Sequence, residues 1–222
     1  MERTKAIVLR RTNYGEADRI LKLLTPHGQR AVIAKGARRE KSKLAGGIEL
    51  FGISDIVISQ GKSDLGVLTQ ARLVKFYHHI LEDYDRLQFG YEAINLVSRA
   101  SESIDEPEWY EVLSEVYAGL DEKTISLQLV QTWFYLRYAA LTGYELNLSS
   151  DVTNAPLQGD KPYMYDTSER ALRPSEQGEI TANHIKFLRI IARKPIKIVA
   201  QIGGVEKILP DCWLLARTHA AI

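Results

Sequence analysis

The densest cluster of chemically active side chains in this 222-residue chain lies between residues 35 and 43. It reads Lys-Gly-Ala-Arg-Arg-Glu-Lys-Ser-Lys and sets one acid, Glu40, against five bases: Lys35, Arg38, Arg39, Lys41 and Lys43. Arginine can fork onto two phosphate oxygens, while lysine acts as a mobile point charge. Each phosphate that is neutralised also releases condensed counterions, so such a run favours a polyanion over a small substrate.

The net charge of +1 hides how unevenly the charges are distributed along the chain. Residues 1–75 hold 15 Lys+Arg against 7 Asp+Glu, a net of +8, whereas residues 76–222 hold 14 against 21, a net of −7. Such a division is typical of a protein in which one part meets a polyanion while the other does different work.

Further cations are scattered over the strands that flank the cluster. Of these, Arg10, Arg19 and Arg30 are predicted to extend the phosphate-binding surface from the cluster at residues 35–43 across the sheet. The same region offers few rings on which a base could stack, namely Tyr14, Phe51, Phe76 and Tyr77, and the last three lie beside apolar positions that predict packing. Binding is therefore expected to be mainly electrostatic and indifferent to base sequence.

The remaining residues give no pattern for catalysis, a cofactor or a metal. The single cysteine, Cys212, excludes an internal disulfide and any site built from several thiolates. His184 and His219 have no ligand spacing with it, and the adjacent His78 and His79 would point to opposite faces at the end of a strand. No glycine-rich phosphate-binding motif is present either.

Short runs separated by Pro, Gly and Asn predict five strands in the first 76 residues: Lys5–Arg11, Arg19–Thr25, Arg30–Lys35, Phe51–Gln60 and Leu65–Val74. A turn at Gly61–Asp64 joins the last two. Five strands in this length indicate a small closed barrel of the OB type, although an SH3-like barrel would give a similar pattern.

Beyond residue 77 the apolar period becomes helical, which predicts an α+β protein with domains at 1–78 and 79–222. Helices are expected near 82–101, from Pro107 to about Leu120, from Thr124 to Thr142, near 181–193 and in the tail after Pro195. Thr124 is the expected cap of the central helix and Gly143 its left-handed end. Residues 144–178 read as an irregular insertion, in which 162–165 and 171–172 form a short hairpin.

Three stretches of the chain resemble the opening of the bacterial recombination-mediator family RecO: Tyr14-Gly15-Glu16-Ala17-Asp18-Arg19, Leu24-Thr25-Pro26-His27-Gly28, and Ala34 through Ser42. The resemblance implies an OB barrel joined to a helical domain and no catalytic activity. It also implies binding to single- and double-stranded DNA, annealing of complementary strands, action with RecR, and help in loading RecA onto DNA coated by single-strand-binding protein.

The resemblance has one departure and one further implication. Many relatives carry a four-cysteine zinc module in the insertion, but Asn147–Leu172 contains no cysteine here, so zinc is expected to be absent. The family also implies a receptor for the acidic, aromatic-containing tail of single-strand-binding protein, for which Arg137 and Tyr138 on the central helix are the candidates.

Two other readings of the sequence stay open. A small basic barrel also suits folded RNA, so an RNA-binding structural module is the main alternative. An enzyme that uses the insertion as a lid is the other, because Asp151, Asp160 and Asp166 lie there. The absence of an apolar leader or of a long apolar run predicts a cytoplasmic protein without a membrane span. The DNA binding that the resemblance implies would make it nucleoid-associated.

Overall fold

The computed structural model describes residues 1–60, 65–104 and 106–221. The predicted turn at Gly61–Asp64 and the acid Asp105 lie outside the described residues. The chain divides into two compact units, Met1–Asp121 and Glu122–Ile222. Among the helices in the described ranges, none combines the length and apolar character needed to cross a bilayer.

The first unit begins with a closed five-stranded barrel. Its strands are β1 (Glu2–Tyr14), β2 (Asp18–Thr25), β3 (Gly28–Ala34), β4 (Gly52–Ser59) and β5 (Gly66–Phe76). They close in the order β1-β2-β3-β5-β4, with β4 pairing back onto β1. All pairs are antiparallel except β3 with β5. The five predicted strands and the OB-type barrel are confirmed.

The barrel closes because its inward positions are apolar and nearly inaccessible. Leu21, Val32 and Ile56 are at most 2% exposed and pack in one cluster with residues from the other strands. Burying each such side chain stabilises the fold by about 1.5–3 kcal/mol. On β1 the register shifts between Val8 and Arg10, a bulge that strengthens the local twist.

A 3-10 helix, His78–Glu82, leads into α1 (Tyr84–Ser103), which α2 (Glu108–Asp121) follows. Phe51 lies before β4 with a φ of +58°, and its ring packs against Tyr91 and Tyr117 at centroid distances of 5.2 and 5.5 Å. Gly90 makes this possible, since a Cβ there would lie 2.7 Å from the Phe51 ring. Strand gives way to helix near residue 78 as predicted, but the barrel and these two helices form one compact unit.

The second unit contains α3 (Leu127–Leu141), α4 (Ala182–Ile191), α5 (Ile196–Val199), α6 (Leu209–Ala220) and a hairpin of β6 (Tyr163–Asp166) with β7 (Ala171–Pro174). The hairpin and the helical tail are confirmed. So is the end of α3, where Gly143 has a φ of +87° and Tyr144 N–H donates to the Ala139 carbonyl at 2.7 Å.

The predicted start of α3 is wrong. Ser126 occupies the N-cap position, and the Thr124 hydroxyl donates instead to the Glu122 carboxylate at 2.8 Å. Thr124 therefore lies in the turn before the helix, because its hydroxyl bonds to the Glu122 carboxylate and does not cap the first turn.

Candidate nucleic-acid interface

The basic loop, defined as residues 35–43, joins the end of β3 to the segment before β4. Its five cations (Lys35, Arg38, Arg39, Lys41 and Lys43) are all exposed. Within the described ranges, none of the five forms an ion pair with an acid. Their charge is therefore open to an external partner.

The loop is fixed at its base to the turn between β1 and β2. Gly36 N–H donates to the Asp18 carboxylate at 2.7 Å, and Arg38 N–H donates to the Ala17 carbonyl at 2.8 Å. Ala37 is 3% exposed and belongs to the barrel core. Gly36 has a φ of +65°, which a side chain would strain. The backbone is thus anchored while the long cationic side chains project outward.

The guanidinium of Arg38 adds a side-chain link to the same turn, since it donates to the Gly15 carbonyl at 3.3 Å. In OB barrels the loop between the first two strands borders the surface that binds oligonucleotides. The basic loop and this turn therefore lie together at one end of the barrel.

The structure does not place the three predicted strand arginines together. Arg19 pairs in register with Ala34, beside the base of the basic loop, and donates to the Asn13 side chain at 3.4 Å. Arg10 is exposed on β1, farther along the barrel. Arg30 lies five residues before Lys35, about 16 Å along an extended strand, and its Nε is 3.6 Å from Glu2. Of the three, Arg19 lies closest to the loop.

The aromatic side chains of the barrel behave largely as predicted. Phe51 and Tyr77 are buried, at 1% and 3% exposure. Phe76 departs from the expectation and is 37% exposed, because the end of β5 faces outward. Tyr14 is 54% exposed at the end of β1, directly opposite the loop anchor Asp18.

In the second unit, Arg137 lies in a groove of about 590 Å³ between α3, α4 and the segment 145–149. Arg189 and Arg193 line the same groove, and Arg189 donates to the Leu148 carbonyl at 2.6 and 3.0 Å. The Arg137 guanidinium lies 5.5 Å from the Trp133 ring, and its Nε is buried with no hydrogen-bond partner among the described residues.

Tyr138, the other predicted partner-binding residue, is 9% exposed and packs toward Phe134 at a centroid distance of 5.8 Å. It lies on a different face of α3 from the groove-lining Arg137. Sequence reasoning missed Arg189 and Arg193 as groove residues, since neither periodicity nor spacing links them to Arg137.

Two of the three aspartates singled out in the insertion, Asp151 and Asp166, serve as structural hydrogen-bond acceptors. The Asp151 carboxylate accepts from the Thr153 hydroxyl and backbone, and these bonds hold its pKa below the usual range. Asp166 accepts from the Glu169 backbone and the Arg173 guanidinium, which lower its pKa in the same way. Both are carboxylates at neutral pH, and a lowered pKa is poorly suited to general acid catalysis.

Comparison with known proteins identifies the family to which both parts of the chain belong. The family model "Recombination protein O N terminal" matches residues 1–77, and "Recombination protein O C terminal" matches residues 81–208. The chain belongs to the RecO family. Two similar proteins named "DNA repair protein RecO" come from Dehalococcoides mccartyi strain CBDB1 and Roseiflexus sp. strain RS-1.

The RecO relatives align over different lengths. The Dehalococcoides protein is 27% identical over 225 residues, covering 98% of this chain and 88% of its own length. The Roseiflexus protein is 40% identical over 100 residues, covering 45% of this chain and 35% of its own length. The two family models meet between residues 77 and 81, where the structure changes from β5 to helix.

One residue that shapes the candidate interface of this RecO-family chain was not singled out from the sequence. Asp18 looks unfavourable in a basic region, yet its carboxylate anchors Gly36 and so positions the loop. The only signal was its place in the stretch Tyr14–Arg19 that resembles the family.

Proposed function

We propose that this chain is a non-enzymatic recombination mediator that binds single- and double-stranded DNA and anneals complementary strands. It acts with RecR in the cytoplasm, at the nucleoid, to help load RecA onto DNA coated by single-strand-binding protein. The observation that carries the proposal is the anchored basic loop, whose five exposed cations lack acidic partners in the described ranges, on an OB-type barrel.

This arrangement suits annealing because it contacts the backbone and leaves base edges free. Cations on an anchored loop screen phosphates from two strands, while the bases stay available for pairing. Two acids of the insertion are held as low-pKa hydrogen-bond acceptors, which favours a mediator over a lid-bearing enzyme.

The test replaces Arg38, Arg39, Lys41 and Lys43 together by alanine. We expect affinity for single-stranded DNA to fall at least about tenfold, and the dependence of log K on log salt to become shallower by up to about 3. Fluorescence anisotropy over a salt series measures both quantities, and strand annealing is measured on the same samples.

The matched control removes four exposed lysines from the second unit: Lys161, Lys186, Lys197 and Lys207. It changes net charge equally and should leave binding and annealing nearly intact. Undiminished binding by the loop variant would remove the loop's proposed role. Preference for structured RNA over single-stranded DNA in competition would instead favour the RNA-binding alternative.

For the second unit we propose that the groove at Arg137 receives the acidic, aromatic-containing tail of single-strand-binding protein. Three arginines line it together with apolar Leu136, Leu146 and Leu148, so it offers cations for carboxylates and an apolar wall for a ring. The buried Arg137 Nε supplies a donor that a carboxylate would satisfy.

Titration with a labelled tail peptide tests this second proposal. Arg137→Ala is expected to weaken binding at least about tenfold, as charge-assisted hydrogen bonds to carboxylates are worth roughly 1.5–3 kcal/mol. The exposed Lys197 lies outside the groove, so Lys197→Ala should bind as the unmodified chain does. Equal peptide affinity for both variants would place the receptor elsewhere.

A further inference from the structure

The sequence predicts that His78 and His79 lie at the end of a strand, but the structure shows otherwise. They begin the 3-10 helix His78–Glu82, and their ring centroids lie only 4.0 Å apart. Glu82, at the other end of this helix, turns back toward them. One ligand atom from each of the three side chains lies within 4.8 Å of those of the other two. The two histidine rings therefore lie side by side, where both can reach one ion.

A second observation concerns the orientation of His79. Its Nδ1 lies 3.0 Å from the Asp121 carbonyl oxygen, which can only accept, so Nδ1 carries the proton. This leaves the lone pair on Nε2. The Asp121 carboxylate also accepts from the His79 backbone N–H at 2.9 Å and lies 3.6 Å from Nδ1. Histidines that bind metals are typically held in this way, with the second ring nitrogen donating to a carbonyl or carboxylate.

We propose that His78, His79 and Glu82 bind a zinc ion. Two imidazoles and one carboxylate form a ligand set that Zn²⁺ uses in proteins, with a water molecule as the fourth ligand. With bonds of roughly 2.0–2.1 Å, tetrahedral ligand atoms lie about 3.4 Å apart. His78 and Glu82 are exposed, so their side chains can close the remaining distance by rotation.

The position of the site suggests what the ion does. The 3-10 helix is the connection between β5 and α1, and Asp121 is the last residue of α2. Because His79 is hydrogen-bonded to Asp121, an ion on His79 strengthens the attachment of this connection to the end of α2. The site lies in the first unit, far in sequence from the cysteine-free insertion at 147–172.

The test uses the untagged, full-length chain after metal removal, because a polyhistidine tag would itself bind zinc. Calorimetric titration with ZnCl2 is expected to show one ion per chain and a zinc-dependent rise in melting temperature. His78→Ala and Glu82→Gln should each weaken zinc binding at least tenfold. These two variants carry the test, because replacing His79 would also disturb its bonds to Asp121.

His27→Ala is the matched control, since His27 is an exposed histidine at the turn between β2 and β3, outside the cluster. It should bind zinc like the unmodified chain. Mg²⁺, which prefers oxygen ligands, should give no comparable rise in melting temperature. The proposal is overturned if no stoichiometric zinc binding occurs, if His78→Ala and Glu82→Gln bind as tightly as His27→Ala, or if Mg²⁺ stabilises equally.

Discussion

At the scale of single residues, the basic loop matters because none of its five cations forms an ion pair with an acid in the described ranges. Several cations on the strands are instead paired with acids: Arg11 with Glu49 at 2.7 Å, Lys22 with Glu102, and Arg30 with Glu2. An exposed ion pair contributes little to stability, but it does neutralise a charge that a phosphate would otherwise meet. A count of Lys and Arg in the sequence treats paired and unpaired cations alike.

His219 gives a prediction at this scale, because it is 2% exposed and both its ring nitrogens are engaged. Nε2 donates to the Tyr144 carbonyl at 2.6 Å, so Nδ1 accepts from the Tyr165 hydroxyl at 2.7 Å. Burial, with a further contribution from Arg170, lowers the pKa of His219, and the bond to Tyr144 opposes this only in part. The folded chain therefore holds this imidazole neutral.

Above the pKa of about 6.5 that His219 has in the unfolded chain, its titration should not change the stability of the protein. As the pH falls below this value toward the lower pKa of the folded chain, the stability should decrease. Stability falls because, as the pH decreases, the unfolded chain binds a proton at His219 before the folded chain does. Urea denaturation at pH 8 and pH 5.5, followed by the fluorescence of Trp133 and Trp213 in the same unit, measures the loss. A His219→Gln variant should be less stable at pH 8 but lose less on acidification. An equal loss in both proteins would assign the effect to other groups.

At the scale of elements, the sequence predicts most of the fold because the hydrophobic pattern and the turn-forming residues place the elements at the same positions. All five strands were found within a few residues of their ends, since Pro26, Gly28 and Gly15 mark the turns and apolar runs fill the barrel. The end of α3 was predictable from Gly143. Its start was not, because the Thr124 hydroxyl bonds to the Glu122 carboxylate, an interaction that the helical pattern does not indicate.

The candidate sites were less predictable than the elements. The basic loop is contiguous in sequence, so its charge could be recognised directly. The groove at Arg137 and the cluster at His78 depend on three-dimensional neighbours. Arg189 is 52 residues from Arg137, and the adjacency of the two histidine rings follows from a 3-10 helix that the pattern did not indicate.

The short 3-10 helix Ala45–Gly47 gives a prediction at the element scale. A Cβ on Gly47 would lie 2.5 Å from the backbone of Ala71 on β5, whereas one on the adjacent Gly46 would meet nothing within 4 Å. Gly47→Ala must push this helix away from β5. We expect it to lower the free energy of unfolding by about 1–3 kcal/mol, measured by urea denaturation.

Gly46→Ala serves as the control for this pair, because it makes the same chemical change one residue away in open space. It should alter stability by less than about 0.5 kcal/mol. Similar losses from both substitutions would indicate a backbone effect and not the close approach to Ala71.

At the scale of the whole molecule, the charge division falls inside the first unit. Residues 76–121 hold 2 Lys+Arg against 11 Asp+Glu, a net of −9, and residues 122–222 hold 12 against 10, a net of +2. The acidic part is thus the segment that carries α1 and α2, packed with the basic barrel in one unit. The second unit is close to neutral.

Two fragments test the organisation of the chain. Residues 1–121 should fold alone, unfold cooperatively on heating and bind DNA, because this fragment keeps the packing of Phe51 against Tyr91 and Tyr117. Residues 1–78 expose the Phe51 ring and lose the bonds from Gln29 to Ser98 and Ser101, so a lower melting temperature is expected by circular dichroism. Equal melting temperatures would instead support a domain boundary at residue 78.

The packing of α1 against the barrel has a consequence for the first encounter with DNA. Gln29 at the start of β3 holds the end of α1, while the basic loop follows the other end of that strand, about 20 Å away. Opposite charges held apart in one unit form an electric dipole. An approaching strand therefore exerts a torque that turns the loop toward it and the acidic segment 76–121, of which α1 is a part, away from it. The orientation of binding is then selected during diffusion, before any hydrogen bond forms.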